Sequence, residues 1–160
     1  MMLNQADLYH IGVVVDDFQA AMDRYGRQMG VTWSPLINVT VPIWTRDHGE
    51  MELHSHAIYS QQEPCIELVK TLPGTFWVPT EGRPLHHLGY WVDDLAAASA
   101  DLEARGCPKI ACALHEGAMM GFAYHEMKDG PYIEMVDRAV FPDWPAFLAG
   151  RMQHEVIHKD

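Results

Sequence analysis

Hydrophobic residues follow two periods in this chain, and the same order of periods occurs twice. From Leu8 to Val15 the residues alternate and are rich in β-branched types, which predicts a strand. Phe18, Ala21, Met22, Tyr25 and Met29 then recur at helical spacing, with Asp17 placed to cap the helix and Gly30 to end it. In the second half, Leu85 to Val92 predicts a strand, Asp94 a cap, Leu95, Ala98 and Leu102 an apolar helical stripe, and Gly106 a stop. Three more strands are predicted after each helix. They are Ile37 to Thr45, Glu52 to Tyr59 and Cys65 to Lys70 in the first half, and Lys109 to Leu114, Gly121 to Met127 and Tyr132 to Val136 in the second. Each half therefore predicts a β-α-β-β-β module.

The repeat is also literal. His10-Ile11-Gly12-Val13-Val14-Val15-Asp16-Asp17 returns as His87-Leu88-Gly89-Tyr90-Trp91-Val92-Asp93-Asp94, and Pro64-Cys65-Ile66-Glu67-Leu68-Val69 returns as Pro131-Tyr132-Ile133-Glu134-Met135-Val136. So long a period indicates two domain-sized copies and not a solenoid. The organisation expected is a first module over residues 1–70, a packed connector over 71–84 containing Phe76, Trp77 and Val78, a second module over 85–137, and a tail over 138–160. The aromatic residues Phe141, Trp144 and Phe147 mark that tail as a short docked helix.

Strand parity separates the chemistry from the core. Ile11, Val13 and Val15, like Leu88, Tyr90 and Val92, form rows that would lie under a helix, and Ile66, Leu68, Ile133 and Met135 match them. His10, Glu67, His87 and Glu134 take the opposite face. One His alone in a strand is ordinarily a hydrogen-bonded structural group. Two His and two Glu at matching places of a duplication instead make a set able to hold one divalent metal ion. Gly12 and Gly89 beside the histidines leave room there, although glycines at a sheet bend would look the same. By the same parity His86 faces away from His87, as a structural or surface residue. Cys65 and Tyr132 share the ligand face and are expected to wall the pocket with Trp91, Tyr124 and His56; His54, His115 and His125 are further candidates for its lining.

Composition narrows the partners. With 22 acidic and 11 basic residues the net charge is −11, which argues against a nucleic-acid partner. Three cysteines without paired C-x-x-C spacing suggest neither a disulfide framework nor a thiolate zinc site. No apolar run reaches membrane-spanning length and no export signal precedes the first strand, so a cytoplasmic setting without a membrane partner is expected.

Taken together, the two phrases in their β-α-β-β-β frame resemble the vicinal oxygen chelate superfamily, which includes glyoxalase I, methylmalonyl-CoA epimerase, extradiol dioxygenases and bleomycin-resistance proteins. The resemblance covers roughly residues 7–137. It implies an α+β fold in which the two tandem modules form a cup-shaped pair of mixed-sheet half-barrels, helices outside, around one divalent ion (Zn, Ni, Co, Fe, Mn or Mg). Carried over position by position, it implies His10, Glu67, His87 and Glu134 as ligands; this His-Glu-His-Glu set is most similar to that of glyoxalase I, whereas the epimerases commonly have Gln where this chain has Glu67.

Such a site, bound to a small oxygen-chelating carbonyl substrate, would act as a lyase or isomerase. Glu134 or Glu67 would abstract a proton and the ion would stabilise the enediolate. Two competitors differ in class. An iron dioxygenase would use His10, His87 and Glu134 as a triad, but Glu67 would then consume a position needed by dioxygen. A non-catalytic binding protein for a drug or metabolite would have no use for four ligands. A homodimer is expected, because the half-barrels would expose sheet edges that a second chain can cover; whether the ligands meet within one chain or across a dimer stays open.

Overall fold

The structure, a computed structural model, describes residues 3–152. Eleven elements follow the duplicated order: β1 Leu8–Val15, α1 Phe18–Met29, β2 Ile37–Thr45, β3 Gly49–Tyr59, β4 Cys65–Lys70, β5 His87–Val92, α2 Leu95–Ala104, β6 Lys109–His115, β7 Ala118–His125, β8 Tyr132–Asp137 and α3 Trp144–Leu148. The eight strands close into a barrel in the order β1-β4-β3-β2-β6-β7-β8-β5. Within each half the first and last strands pair in parallel, β1 with β4 and β5 with β8. The halves join through two antiparallel seams, β1–β5 and β2–β6. The fold is thus the α+β pair of half-barrels that the family resemblance implied, closed on itself.

Helix capping explains where α1 and α2 lie. Asp17 accepts from Ala20 N and Asp94 from Ala97 N, each satisfying an amide that the first helical turn leaves free. Gly30, with φ of 70°, ends α1 in the left-handed region that glycine adopts without strain. The stripe of α1 then packs Ala21, Phe18, Met22 and Tyr25 onto Val13, Val15, Ile58, Ile66 and Leu68, while α2 packs Leu95, Ala98 and Leu102 onto Tyr90, Val92, Ile133 and Met135. Both helices lie outside the barrel. Leu68 and Met135, fully buried beneath them, contribute about 1.5–3 kcal/mol each.

Several strand boundaries differ from expectation. The β6–β7 hairpin turns at Glu116 and Gly117, with φ of 50° and 77°, so β7 starts at Ala118 and ends at His125 instead of running from Gly121 to Met127. Positive φ at both central residues matches the right-handed twist of the flanking strands. Gly121, at φ 90°, falls inside the strand. β3 begins at Gly49, earlier than Glu52, because its first residues continue the ladder to Thr45. β5 begins at His87, and His86 lies just ahead of it.

The barrel interior is filled from both ends. Tyr9, Tyr59, Trp91, Tyr124, Trp77, Phe141, Trp144 and Phe147 belong to one buried cluster. Trp144 donates from Nε1 to Glu63 at 3.1 Å, and Gln61 donates to Leu148 O at 2.9 Å, tying the tail to the β3–β4 loop. The expected tail extends past residue 152, outside the described residues. Trp77 of the connector and Phe141, Trp144 and Phe147 of the tail pack on their own chain, and among the described residues each of the eight strands is paired on both sides. Among the described residues no helix is long and apolar enough to cross a membrane.

Candidate metal centre

At the β1–β5 seam two glycines organise the site. His10 lies opposite Gly89 and Gly12 opposite His87. Across the parallel ladders Gly12 also faces Glu67, and Gly89 faces Glu134. Each glycine is thus flanked by a His and a Glu from neighbouring strands, and all four side chains project into the barrel. A Cβ at Gly12 would overlap the His87 ring and one at Gly89 would overlap the His10 ring. The space beside each histidine is therefore taken by the histidine of the other module.

The four donor atoms, His10 Nε2, His87 Nε2, Glu67 Oε2 and Glu134 Oε2, converge. His10 Nε2 is 2.9 Å from His87 Nε2, 3.4 Å from Glu67 Oε2 and 2.9 Å from Glu134 Oε2. His87 Nε2 is 2.8 Å from Glu67 Oε2 and 3.3 Å from Glu134 Oε2. Donors held about 2.0–2.2 Å from one ion lie about 2.9–3.5 Å apart, depending on whether the geometry is octahedral or tetrahedral. The observed spacings are those of ligands around a common point. All four groups come from one chain, and the most exposed, Glu134, is 6 % exposed.

Hydrogen bonding alone does not satisfy this cluster. Glu134 Oε2 and His10 Nδ1 are buried without a hydrogen-bond partner, and one proton between two facing imidazole nitrogens leaves the other lone pairs uncompensated. Burial alone would depress the His87 pKa, but the carboxylates of Glu134 and Glu67 facing its Nε2 push it up to about 9. Burial works to raise that of Glu134, yet the two histidines hold it well below the usual carboxylate range. The pocket thus demands positive charge, as two buried carboxylates must. A divalent ion would fit this donor set and neutralise it.

Around this centre stand groups of other kinds. Cys65, opposite His10 across β1–β4, is fully buried, and burial with Glu63 and Glu67 pushes its thiol up to about 12. Its thiol therefore stays protonated. Tyr124 lies 5.2 Å from the His87 ring and Trp91 stacks on Tyr9 at 3.7 Å. Tyr132 sits farther out, on His86 and Phe76, at the edge of a small cavity it shares with Thr45, Arg46 and Thr75.

His56 does not join them. It stands on the outer face of β3, beside Lys70 and the start of α1, because Ala57 and Tyr59 take the inward positions. His54 meets Thr40 at the surface, and His125 is buried outside the barrel, against Ser99 of α2.

Two kinds of residue escaped the sequence reading. Tyr9 lies where the β1–β5 register shifts, so it points inward next to His10, 4.4 Å away, and Tyr59 lies 5.3 Å from the same ring. Burial, then the carboxylates, push both phenols well above their ordinary range and keep them protonated. His86 is the larger correction. It is 7 % exposed, and its Nδ1 lies 2.8 Å from His87 Nδ1 while its Nε2 meets Phe76 O at 3.0 Å. Preceding the regular strand, His86 is free of the parity that governs β5. Burial, with the neighbouring His87, pushes its pKa down to about 4.

A closed pair of β-α-β-β-β half-barrels with an inward-facing two-His, two-Glu cluster defines a class of protein, the vicinal oxygen chelate fold. The profile of the Glyoxalase/Bleomycin resistance protein/Dioxygenase superfamily matches residues 9–124, and the chain belongs to that superfamily. Among curated proteins no sequence matches significantly. Solved structures that resemble it include methylmalonyl-CoA epimerase from Mycobacterium tuberculosis, 21 % identical, with 85 % of this chain and 92 % of that chain covered and a TM-score of 0.54. A variant of the Streptomyces coelicolor methylmalonyl-CoA epimerase in complex with 2-nitronate-propionyl-CoA is 18 % identical, with 85 % and 98 % covered and a TM-score of 0.57. At such identities the likeness establishes the fold.

Proposed function

We propose that this protein is a divalent-metal-dependent isomerase or lyase that moves a proton on a small oxygen-chelating carbonyl substrate. The observation that carries the reading is the convergence of His10, Glu67, His87 and Glu134 on one point, with spacings of ligands and with Glu134 Oε2 lacking any hydrogen bond. A divalent ion held there supplies Lewis acidity, which lowers the pKa of a carbon acid next to a bound carbonyl. Glu134, loosened from the ion, is the base that takes the proton and returns it, with Glu67 as the second candidate for that role. Tyr9, Tyr59 and Tyr124 remain neutral phenols near the carboxylates, and with Trp91 and Cys65 they exclude water from the proton transfer.

The epimerases that share the fold also favour proton-transfer chemistry on a carbonyl compound over oxidation. The test begins with elemental analysis of protein purified without a tag. Exchange of substrate hydrogen with solvent deuterium is then screened across α-hydroxycarbonyls, hemithioacetals and acyl-CoA thioesters. Glu134→Gln should retain the ion and lower turnover by about 100-fold or more, the range of a lost general base, with little change in substrate affinity. Unchanged turnover in both Glu134→Gln and Glu67→Gln, with the ion retained, would remove the carboxylate-base mechanism.

A further inference from the structure

We propose that His86 is a positioning residue for the ion: it fixes the tautomer of His87, turning the Nε2 lone pair of that ligand toward the three other donors. The inference rests on the reading of the four-residue cluster as a metal site, and it comes from two distances on one imidazole. His86 Nε2 lies 3.0 Å from Phe76 O. A carbonyl only accepts, so the proton of the neutral His86 ring is on Nε2 and its Nδ1 is a bare acceptor. That acceptor lies 2.8 Å from His87 Nδ1. Two bare nitrogens would repel at this distance, so His87 carries its proton on Nδ1 and donates it to His86. His87 Nε2 is then the nitrogen left for the site: its proton faces Glu67 Oε2 at 2.8 Å, and an ion would take the place of that proton.

The relay therefore runs from the backbone of the connector to the candidate ligand. Ligand histidines commonly donate their second N–H to a carboxylate, carbonyl or water, and loss of such a partner costs about 10–100-fold in metal affinity. Here the partner is another imidazole, itself held by Phe76 O and flanked by the rings of Phe76 and Tyr132, at 5.7 and 5.1 Å. The other module has no counterpart. His10 Nδ1 is buried without a hydrogen-bond partner, so the two histidines of the duplicated phrase are oriented differently: His10 by packing, His87 by a hydrogen bond.

Competition with a chromophoric chelator measures the Zn2+ affinity of the wild type and of His86→Asn, His86→Gln and His86→Phe, with thermal unfolding of the ion-free proteins recorded alongside. Asn places an acceptor oxygen where His86 has Nδ1, so it should bind Zn2+ within a few-fold of the wild type. Gln reaches the Phe76 carbonyl position and Phe only fills the volume; both should bind about 10–100-fold more weakly. Equal affinities in all four proteins, or losses that merely track the ion-free unfolding temperatures, would overturn the proposal. A second readout needs no substitution. In Zn2+-loaded protein labelled with 15N-histidine, long-range proton–nitrogen correlation should find the proton of His86 on Nε2 and that of His87 on Nδ1; a proton on His86 Nδ1 would overturn the proposal even if every variant failed to fold. Wild-type protein that took up no Zn2+, or His87→Ala protein that bound it undiminished, would instead sink the metal-site reading and this inference with it.

Discussion

The imidazole of His87 fills the space that a side chain on Gly12 would need, since a Cβ there would overlap the ring. Gly89 and His10 stand in the same reciprocal relation. The glycine two residues after each histidine thus serves the histidine of the other module. Gly12→Ala should therefore displace His87, destabilise the fold by about 1–3 kcal/mol as overpacking does, and lower divalent-ion affinity at least about tenfold. Chelator competition and urea unfolding measure the two effects, and an alanine variant with wild-type affinity would show that the ring has room to move.

Because the four donors belong to one chain, the site does not need a partner. Mixing inactive His10→Ala with inactive Glu134→Ala protein should recover neither ion binding nor turnover, whatever the oligomeric state. Elemental analysis of the mixture checks this directly; recovery of intact sites would mean that the modules exchange between chains.

His125 should make stability depend on pH. Its Nδ1 donates to Cys107 O at 2.8 Å and its Nε2 accepts from Ser99 Oγ at 3.0 Å, an arrangement available only to the neutral ring. Burial pulls its pKa below the ordinary value. The folded protein then binds fewer protons than the unfolded chain, so this contribution is complete above the unfolded value of about 6.5 and is lost as pH falls toward the lower folded one. Urea unfolding at about pH 7 and about pH 5 should show a smaller difference for His125→Gln than for the wild type. An equal difference would mean that the ring does not titrate in this window.

Trp144 anchors the tail in the barrel, with its ring 5.2 Å from Tyr9, 4.9 Å from Tyr59 and 5.3 Å from Trp91. Trp144→Ala should cost about 3–5 kcal/mol, the range for deleting a large buried aromatic side chain. A denaturant midpoint within error of the wild type would show that the tail contributes little to the core.

The amino-acid sequence by itself determined the duplicated β-α-β-β-β order, the helix caps at Asp17 and Asp94, and the sharing of one sheet face by His10, Glu67, His87 and Glu134. These are local properties: strand parity and capping depend on residues close in the chain, and the repeat displays them twice. What the chain brings together across long distances was decided only in three dimensions. Closure of the β1–β5 and β2–β6 seams within one chain places the four donors on one point, and no residue pattern distinguishes that from closure between two chains. The register shift that turns Tyr9 inward depends on the antiparallel partner strand, so parity counted along β1 alone misplaces it. His56 went the other way, onto the outer face, since its parity follows from the pairing of β3 with β4. His86 escaped because alternation holds only inside a regular strand; one residue ahead of β5, its ring turns to the connector carbonyl and to His87.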